Sequence, residues 1–195
     1  MSARIAIIQG HPDPSGNHFC HALAEAYVRG ATDAGHLVQT IDVARLEFPL
    51  LRRAVDWQDA APPSSIRAPQ ETIAWAEHLV IFFPLWQGDM PALLKGFFEQ
   101  ALRPGFALGK AAPGRLPKKL LKGKSARIVV TMGMPAFFYR LYYRAHSVKS
   151  LKRNILELCG VRPVSTNLIG TVDSEALGKR ELWLAKLAML GRDAA

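Results

Sequence analysis

The sequence is poor in cysteine, with only Cys20 and Cys159 among 195 residues. Their positions fit neither the spacing of metal-binding cysteines nor the disulfide framework of a small secreted domain. Each falls among apolar residues of a predicted helix, which indicates a buried thiol in a reducing compartment. We therefore expect a cytoplasmic protein with no disulfide.

A long hydrophobic run is also missing. The most apolar stretch, LVIFFPLW at 79–86, is far too short to cross a bilayer. The opening Met1-Ser2-Ala3-Arg4 leads directly into a predicted strand, without the cleavage site of a signal peptide. These two features predict a protein without membrane insertion.

Several motifs that would identify a known chemistry are absent. The sequence has no GxGxxG dinucleotide fingerprint, no GxxxxGK[ST] phosphate-binding loop and no GxSxG nucleophile elbow. Its His, Cys, Asp and Glu residues do not cluster at metal-ligand spacings, so we expect no metal. These absences argue against a nicotinamide-type Rossmann domain, a P-loop hydrolase and an α/β-hydrolase.

Acidic residues are the minority, with 16 Asp and Glu against 25 Lys and Arg, a formal net charge of +9. Part of the excess lies in a basic run at 115–127. A solvated loop is the favoured interpretation, followed by attraction of a phosphorylated cofactor. Because no helix-turn-helix, zinc-finger or RNA-binding signature accompanies the run, we expect no nucleic-acid partner.

Five apolar segments alternate with helical patterns along the chain. The predicted strands are 3–9, 37–43, 78–84, 125–132 and 161–170, and the predicted helices are 17–34, 68–77, 90–102, 146–159 and 174–190. The helix at 90–102 is the clearest, because its apolar residues follow the i, i+3, i+4, i+7 spacing throughout. The pattern predicts one α/β domain over residues 1–195, with helices on both faces of a parallel sheet and surface excursions near 47–65 and 105–124.

In an open parallel sheet, ligands bind at the carboxyl ends of the strands. The segments that follow the first, third and fourth strands, at 11–18, 84–90 and 131–135, should therefore converge. The first offers Ser15, Asn17 and His18 beside the free N–H groups of a helix N-terminus, which suits a phosphate. Helix capping by Ser15 or Asn17 alone is the simpler alternative.

The second and third loops bring aromatic and small residues to the same edge of the sheet. Leu85 and Trp86 could contact the face of a flat heterocycle, and Gly88 would let the backbone approach it closely. An aromatic run follows the fourth strand, and we interpret its Phe137 and Phe138 as core or subunit-interface residues. Tyr139 and His146 are the members of this segment whose hydrogen-bonding atoms could serve chemistry.

Three motifs carry a resemblance to a known family. They are GHPDPSGNHFCHAL, FPLWQGDMPALLKGFFEQALRPGFA and TMGMPAFFY, of which the middle one is the most specific. Across nearly the whole chain the sequence resembles the NAD(P)H:quinone oxidoreductases of the DT-diaphorase type. The resemblance implies a flavodoxin-like fold, with a five-stranded parallel sheet in the order 2-1-3-4-5.

The resemblance also implies a bound flavin, FAD or FMN, and a homodimer with the active site at its interface. NAD(P)H would pass a hydride to flavin N5, and a quinone-like acceptor would then take it in a two-electron, ping-pong reaction. Tyr139 and His146 would be the catalytic pair that stabilises charge on the reduced flavin. The implied flavin-binding residues are His11, Ser15, Asn17, His18, Phe19, Pro84, Leu85, Trp86, Gln87, Thr131, Met132, Gly133 and Met134.

Two other functions remain open at this point. One is an azo- or nitroreductase, which would use the same chemistry on another acceptor. The other is a regulatory or ancillary flavoprotein of a transporter, which can retain reductase activity. An electron carrier of the flavodoxin type is less favoured, because those carriers are typically acidic and this chain is basic.

Overall fold

The core of the computed structural model, which describes residues 2–109, 117–173 and 177–195, is a five-stranded parallel sheet. Its strands are β1 (Arg4–Gln9), β2 (Leu37–Asp42), β3 (His78–Pro84), β4 (Ser125–Thr131) and β5 (Val164–Ile169). The order across the sheet is β2-β1-β3-β4-β5, as the resemblance implies. All four neighbouring pairs are parallel.

The central strands are continuously apolar because both of their faces are covered. Along β1, Ile5 and Ile7 face one layer of helices, whereas Ala6 and Ile8 face the other. All seven residues of β3 are buried. The sheet therefore separates two cores, which gives the three-layer arrangement expected from the sequence.

Helices cover both faces. They are α1 (Phe19–Asp33), α2 (Ala54–Gln58), α3 (Ser64–Trp75), α4 (Ala92–Ala101), α5 (Ala136–Leu141), α6 (His146–Ser150), α7 (Glu157–Cys159) and α8 (Leu177–Arg192), with a π-helical stretch, Leu151–Leu156, between α6 and α7. Residues of α1 and α8 pack on one face, and residues of α3, α4, α6 and α7 pack on the other. Among the described residues, no helix is both long and apolar enough to span a membrane.

Helix α8 lies unusually close to α1, and glycine makes this possible. A Cβ at Gly30 would fall 1.9 Å from the carbonyl oxygen of Ala188, and one at Gly191 would fall 2.1 Å from that of Tyr27. Any side chain at either position would push the helices apart. The two glycines therefore fix where α8 lies against the sheet.

The strand predictions were accurate, and the predicted apolar face of the helix at 90–102 is buried. Two segments differ from expectation. The excursion predicted at 47–65 contains a short helix, α2, that was not predicted. It also contains the first residues of α3, because the helix predicted to begin at residue 68 begins at Ser64. The segment after β4, predicted as a loop, contains α5, which is only six residues long and too short for a periodic signal. Residues 110–116 of the predicted excursion at 105–124, and 174–176 of the last predicted helix, lie outside the described residues.

Candidate active site

A cavity of about 460 Å³ lies at the carboxyl ends of β1, β3 and β4. The three predicted loops converge on it. The predicted residues that line the cavity are His11, Asn17, His18, Phe19, Pro84, Leu85, Trp86, Thr131, Met132 and Gly133. Cys20, Val172, Asp173 and Arg180 complete the lining.

Three predicted cofactor residues lie beside the cavity and do not line it. Ser15 is exposed, and its backbone N–H donates to Asp13 Oδ1 at 2.9 Å. Gln87 lies in a turn after β3, next to a second depression of about 680 Å³. Met134 is partly buried, and its carbonyl accepts a hydrogen bond from the N–H of Thr171 at 3.2 Å.

The first loop is held by local hydrogen bonds. The N–H of His11 donates to Gln9 Oε1 at 3.1 Å, and the N–H of Asp13 donates to His11 Nδ1 at 3.1 Å. His18 is the N-cap residue of α1, and no side chain caps the helix. Capping by Ser15 or Asn17 is therefore not the reason for the polar loop. The uncapped N-terminus of α1 faces the candidate site with the donors that an anion needs.

Three imidazole rings lie close together where the first loop meets α1. The rings of His11 and His18 stack with their centroids 4.0 Å apart, and the ring of His21 lies 4.9 Å from that of His11. Burial, and then the neighbouring His18 and His21, lowers the pKa of His11 from 6.5 to about 4. The hydrogen bond from His18, at 2.7 Å, holds the pKa of Asp13 well below its usual value. The buried ring of His11 is therefore neutral near pH 7.

The second loop is a tight turn that holds Trp86. The backbones of Trp86 and Asp89 exchange two hydrogen bonds, at 2.8 Å and 3.0 Å. Both central residues, Gln87 at φ +49° and Gly88 at φ +82°, are in the left-handed region, as a type I′ turn requires. The turn leaves the Trp86 side chain 53% exposed. A broad aromatic surface is thus fixed beside the cavity.

The third loop is tied to its neighbours through the backbone. The N–H of Leu85 donates to the carbonyl of Thr131 at 2.7 Å, and the N–H of Met132 donates to that of Ile169 at 2.9 Å. A Cβ at Gly133 would fall 2.6 Å from a carboxylate oxygen of Asp173, so a side chain at this position would have to displace that carboxylate. The floor of the cavity is therefore set by β3, β4 and β5 together.

Tyr139 and His146 are not among the residues that line the cavity. Tyr139 lies on α5 and is fully buried, and burial raises the pKa of its hydroxyl. His146 is the exposed first residue of α6. Ser147, the next residue, donates a hydrogen bond to Asp89 in the turn that carries Trp86. The segment after α5 is thus joined to the candidate site through Ser147.

Arg180 also lines the cavity but lies outside the three predicted loops, and no local pattern around it predicts this position. It comes from α8, which follows β5 at the edge of the sheet. Its Nη2 donates to the carbonyl of Val172 at 2.5 Å, and its guanidinium lies 5.4 Å from the ring centre of Phe19. Its Nε is buried and has no hydrogen-bond partner in the described part of the chain. An arginine donor at the wall of this cavity is suited to a phosphate.

These features fit a flavin. The apolar and aromatic surfaces of Leu85, Trp86 and Met132 suit a planar ring, while the α1 N-terminus and Arg180 suit its phosphate. Within the described residues, no group of three or more His, Cys, Asp or Glu is placed to hold a metal ion.

Comparison with known proteins agrees with this fold. The chain belongs to the family described as having a flavodoxin-like fold, which it matches over residues 3–188. It is 27% identical, over 170 residues, to an uncharacterized NAD(P)H oxidoreductase from Haemophilus influenzae, covering 85% of this chain and 83% of that protein. The resemblance to NAD(P)H oxidoreductases is therefore confirmed.

Two other proteins are similar to this chain, one in its fold and one in part of its sequence. An NAD(P)H:quinone oxidoreductase from Methanothermobacter marburgensis superposes with a TM-score of 0.83 at 24% identity, over 100% of this chain and 98% of that one, which shows the shared fold. A ribosyldihydronicotinamide dehydrogenase-like protein from Penicillium crustosum is 28% identical over 156 residues, or 67% of this chain. That match covers 57% of the fungal protein's length.

Proposed function

We propose that this protein is a flavin-dependent NAD(P)H:quinone oxidoreductase. The observation that carries the proposal is the cavity at the carboxyl ends of the strands, which combines a flat apolar wall with an uncapped helix N-terminus and an arginine. The names of the related proteins support it. A bound flavin would accept a hydride from NAD(P)H and deliver it to a quinone-like acceptor.

Different residues of the cavity would bind the phosphate end and the ring of the flavin. The N-terminus of α1, with Asn17 and His18, would hold the phosphate end together with Arg180. Leu85 and Trp86 would contact the ring. Thr131 at the end of β4 and the following Met132 and Gly133 would form its floor, with Gln87 and Met134 just outside.

His146 is proposed as the catalytic residue that stabilises charge on the ring and handles the proton. Its imidazole is exposed, and the next residue, Ser147, is hydrogen-bonded to Asp89 in the turn that carries Trp86. Tyr139, which is buried under the same segment, would position α6 through the packing of its ring. Neither residue lines the cavity. Their part in the chemistry therefore requires that the bound substrates extend from the cavity to the segment that carries α5 and α6.

The proposed homodimer fits the surface around His146. Phe137 is 67% exposed, Leu141 is 73% exposed and Tyr142 is 71% exposed. An apolar patch of this kind is a candidate interface. A second copy seated on it would cover the entrance to the site, so that NAD(P)H and quinone would bind between two subunits. Two free, buried cysteines support a reducing, cytoplasmic location.

Steady-state kinetics would test the function directly. The purified protein should be yellow and should oxidise NADH or NADPH when a benzoquinone is present, with parallel double-reciprocal plots. A panel of azo dyes and nitroaromatic compounds would show whether quinones are the preferred acceptors. A colourless protein that takes up neither FMN nor FAD would contradict the proposal, and a flavoprotein with no turnover would favour the ancillary role.

A further inference from the structure

A cavity of about 440 Å³ lies between α1 and β2, the strand at one edge of the sheet, and we call it the edge cavity. None of its described lining residues also lines the candidate active site. The apolar side chains of Ile7, Ala24 and Val28 contribute to its wall. Such a surface suits a flat ring, and the cavity is large enough for one small molecule.

Two polar side chains of the edge cavity are buried and have unused hydrogen-bonding atoms. Gln9 is 5% exposed and His21 is 9% exposed. The Nδ1 of His21 is buried and has no hydrogen-bond partner among the described residues. Gln9 accepts from the N–H of His11 through Oε1 at 3.1 Å, whereas its Nε2 donates no hydrogen bond within the described part of the chain. Because buried polar atoms are normally paired, these two side chains indicate a ligand.

The two side chains offer one acceptor and one donor at the same end of the edge cavity. Gln9 is the last residue of β1, and His21 lies in the first turn of α1. Burial, and then the neighbouring His18, holds the pKa of His21 below its ordinary value, so the imidazole is neutral near pH 7. In a neutral imidazole one ring nitrogen accepts a hydrogen bond, and the Gln9 amide donates.

The ionised side chains of the edge cavity balance one another. Glu25 and Arg29 lie one turn apart on α1, and both are exposed. The carboxylate of Asp42 is paired with Arg45, whose Nε lies 2.9 Å from Oδ2. These residues leave no excess charge of either sign to attract an ion, which favours an uncharged occupant.

We infer that the edge cavity binds an uncharged, planar heterocycle with a lactam edge, in which an N–H group and a carbonyl are adjacent. The N–H would donate to His21 Nδ1, the carbonyl would accept from Gln9 Nε2, and the ring would lie against the apolar wall. This site is separate from the proposed flavin site, so the inference goes beyond the proposed function.

The test titrates carbostyril, an uncharged bicyclic lactam, into the purified, isotope-labelled protein and follows the backbone amide signals by NMR. We expect the signals of Ala24, Val28 and Thr40 to shift together and to saturate with a dissociation constant below about 1 mM. N-methylcarbostyril lacks the N–H donor and leaves His21 Nδ1 unpaired, so it should bind about tenfold more weakly.

Two substitutions locate the site. His21→Phe, which keeps a ring but removes the acceptor, should weaken carbostyril about tenfold and bring the affinities for the two probes together. Val28→Phe, at a half-buried residue of the cavity wall, should fill the space and abolish the shifts. Val55→Phe, at an exposed residue of α2 outside the edge cavity, is the matched control and should leave the affinity unchanged.

Four results would overturn the inference: no saturable shifts, equal affinity of the parent for the two probes, unchanged binding in Val28→Phe, or shifts confined to the surroundings of Trp86. Each of them leaves the proposed function standing, because quinone reduction is measured without the probe.

Discussion

Ser147 donates a hydrogen bond to the carboxylate of Asp89, which joins the start of α6 to the turn that presents Trp86. The same carboxylate oxygen accepts from the N–H of Met90 at 2.7 Å. The helix that carries His146 and the turn that carries Trp86, both proposed to act on the flavin ring, are therefore coupled. This link also places His146, the neighbour of Ser147, relative to Trp86.

Removing that link should loosen the site. In Ser147→Ala, the Asp89 carboxylate loses a donor, and we expect a loss of about 1 kcal/mol in the free energy of unfolding and weaker flavin binding by a few fold. Urea denaturation and flavin titration measure the two effects. Ser150→Ala, at the last residue of α6, is the control. Identical flavin affinity in the parent and Ser147→Ala would show that the coupling does not reach the cofactor.

A second prediction concerns the cost in unfolding free energy of the positive φ in the turn at Trp86. Gly88 has φ +82°, and a Cβ at this position would meet no atom within 4 Å, so Gly88→Ala tests conformation without a clash. We expect a loss of about 1–2 kcal/mol, the cost of the left-handed region for an L-residue. Gly178→Ala, in α8 with equally open space and no positive φ, should be neutral or stabilising by up to about 1 kcal/mol. Equal effects of the two substitutions in urea denaturation would contradict this account of the turn.

Acid should destabilise the fold through His78. Burial, and then Arg127, lowers its pKa from 6.5 to about 4. Above pH 6.5 His78 is neutral in both states, whereas between pH 6.5 and 4 only the unfolded chain takes up the proton. This stability is therefore lost as the pH falls, by about 2 kcal/mol at about pH 5 and about 3 kcal/mol near pH 4.

The measurement is the unfolding free energy of the parent and of His78→Gln between about pH 7 and pH 4. The variant should be less stable at neutral pH but should show a shallower decline. If the unfolding free energies of the parent and of His78→Gln fell in parallel with pH, His78 would not be the cause of the acid destabilisation.

His146 should affect chemistry more than binding. We expect His146→Ala to slow flavin reduction by NAD(P)H at least tenfold and to change flavin affinity less than twofold, because an acid–base residue acts on the reaction. Tyr139→Phe, which keeps the buried ring, should slow it less. Rapid-mixing spectroscopy gives the rates. Equal rates in His146→Ala and the parent would exclude His146 from the reaction.

The sequence predicted the sheet well, for a physical reason. Central strands such as β3 are apolar without interruption because both faces are buried, and α4 shows the regular spacing of an amphipathic helix. These signals are local. The convergence of three loops then followed from the rule that parallel strands place their carboxyl ends at one edge.

What the sequence did not reveal depends on contacts between distant residues. Arg180 reaches the cavity only because Gly30 lets α8 pack directly on α1, and no local pattern around residue 180 indicates this. The bond between Ser147 and Asp89 likewise joins residues far apart in the chain. Helix α5 escaped prediction because six residues are too few to show a period.

The most direct test of the central claim is an anaerobic experiment in two steps. The purified protein is mixed first with one equivalent of NADPH or NADH and then with one equivalent of benzoquinone, while the absorbance of the oxidised flavin is followed. The account predicts that the absorbance disappears in the first step and returns in the second. A flavin absorbance that neither nucleotide can bleach, or no flavin at all, would contradict it.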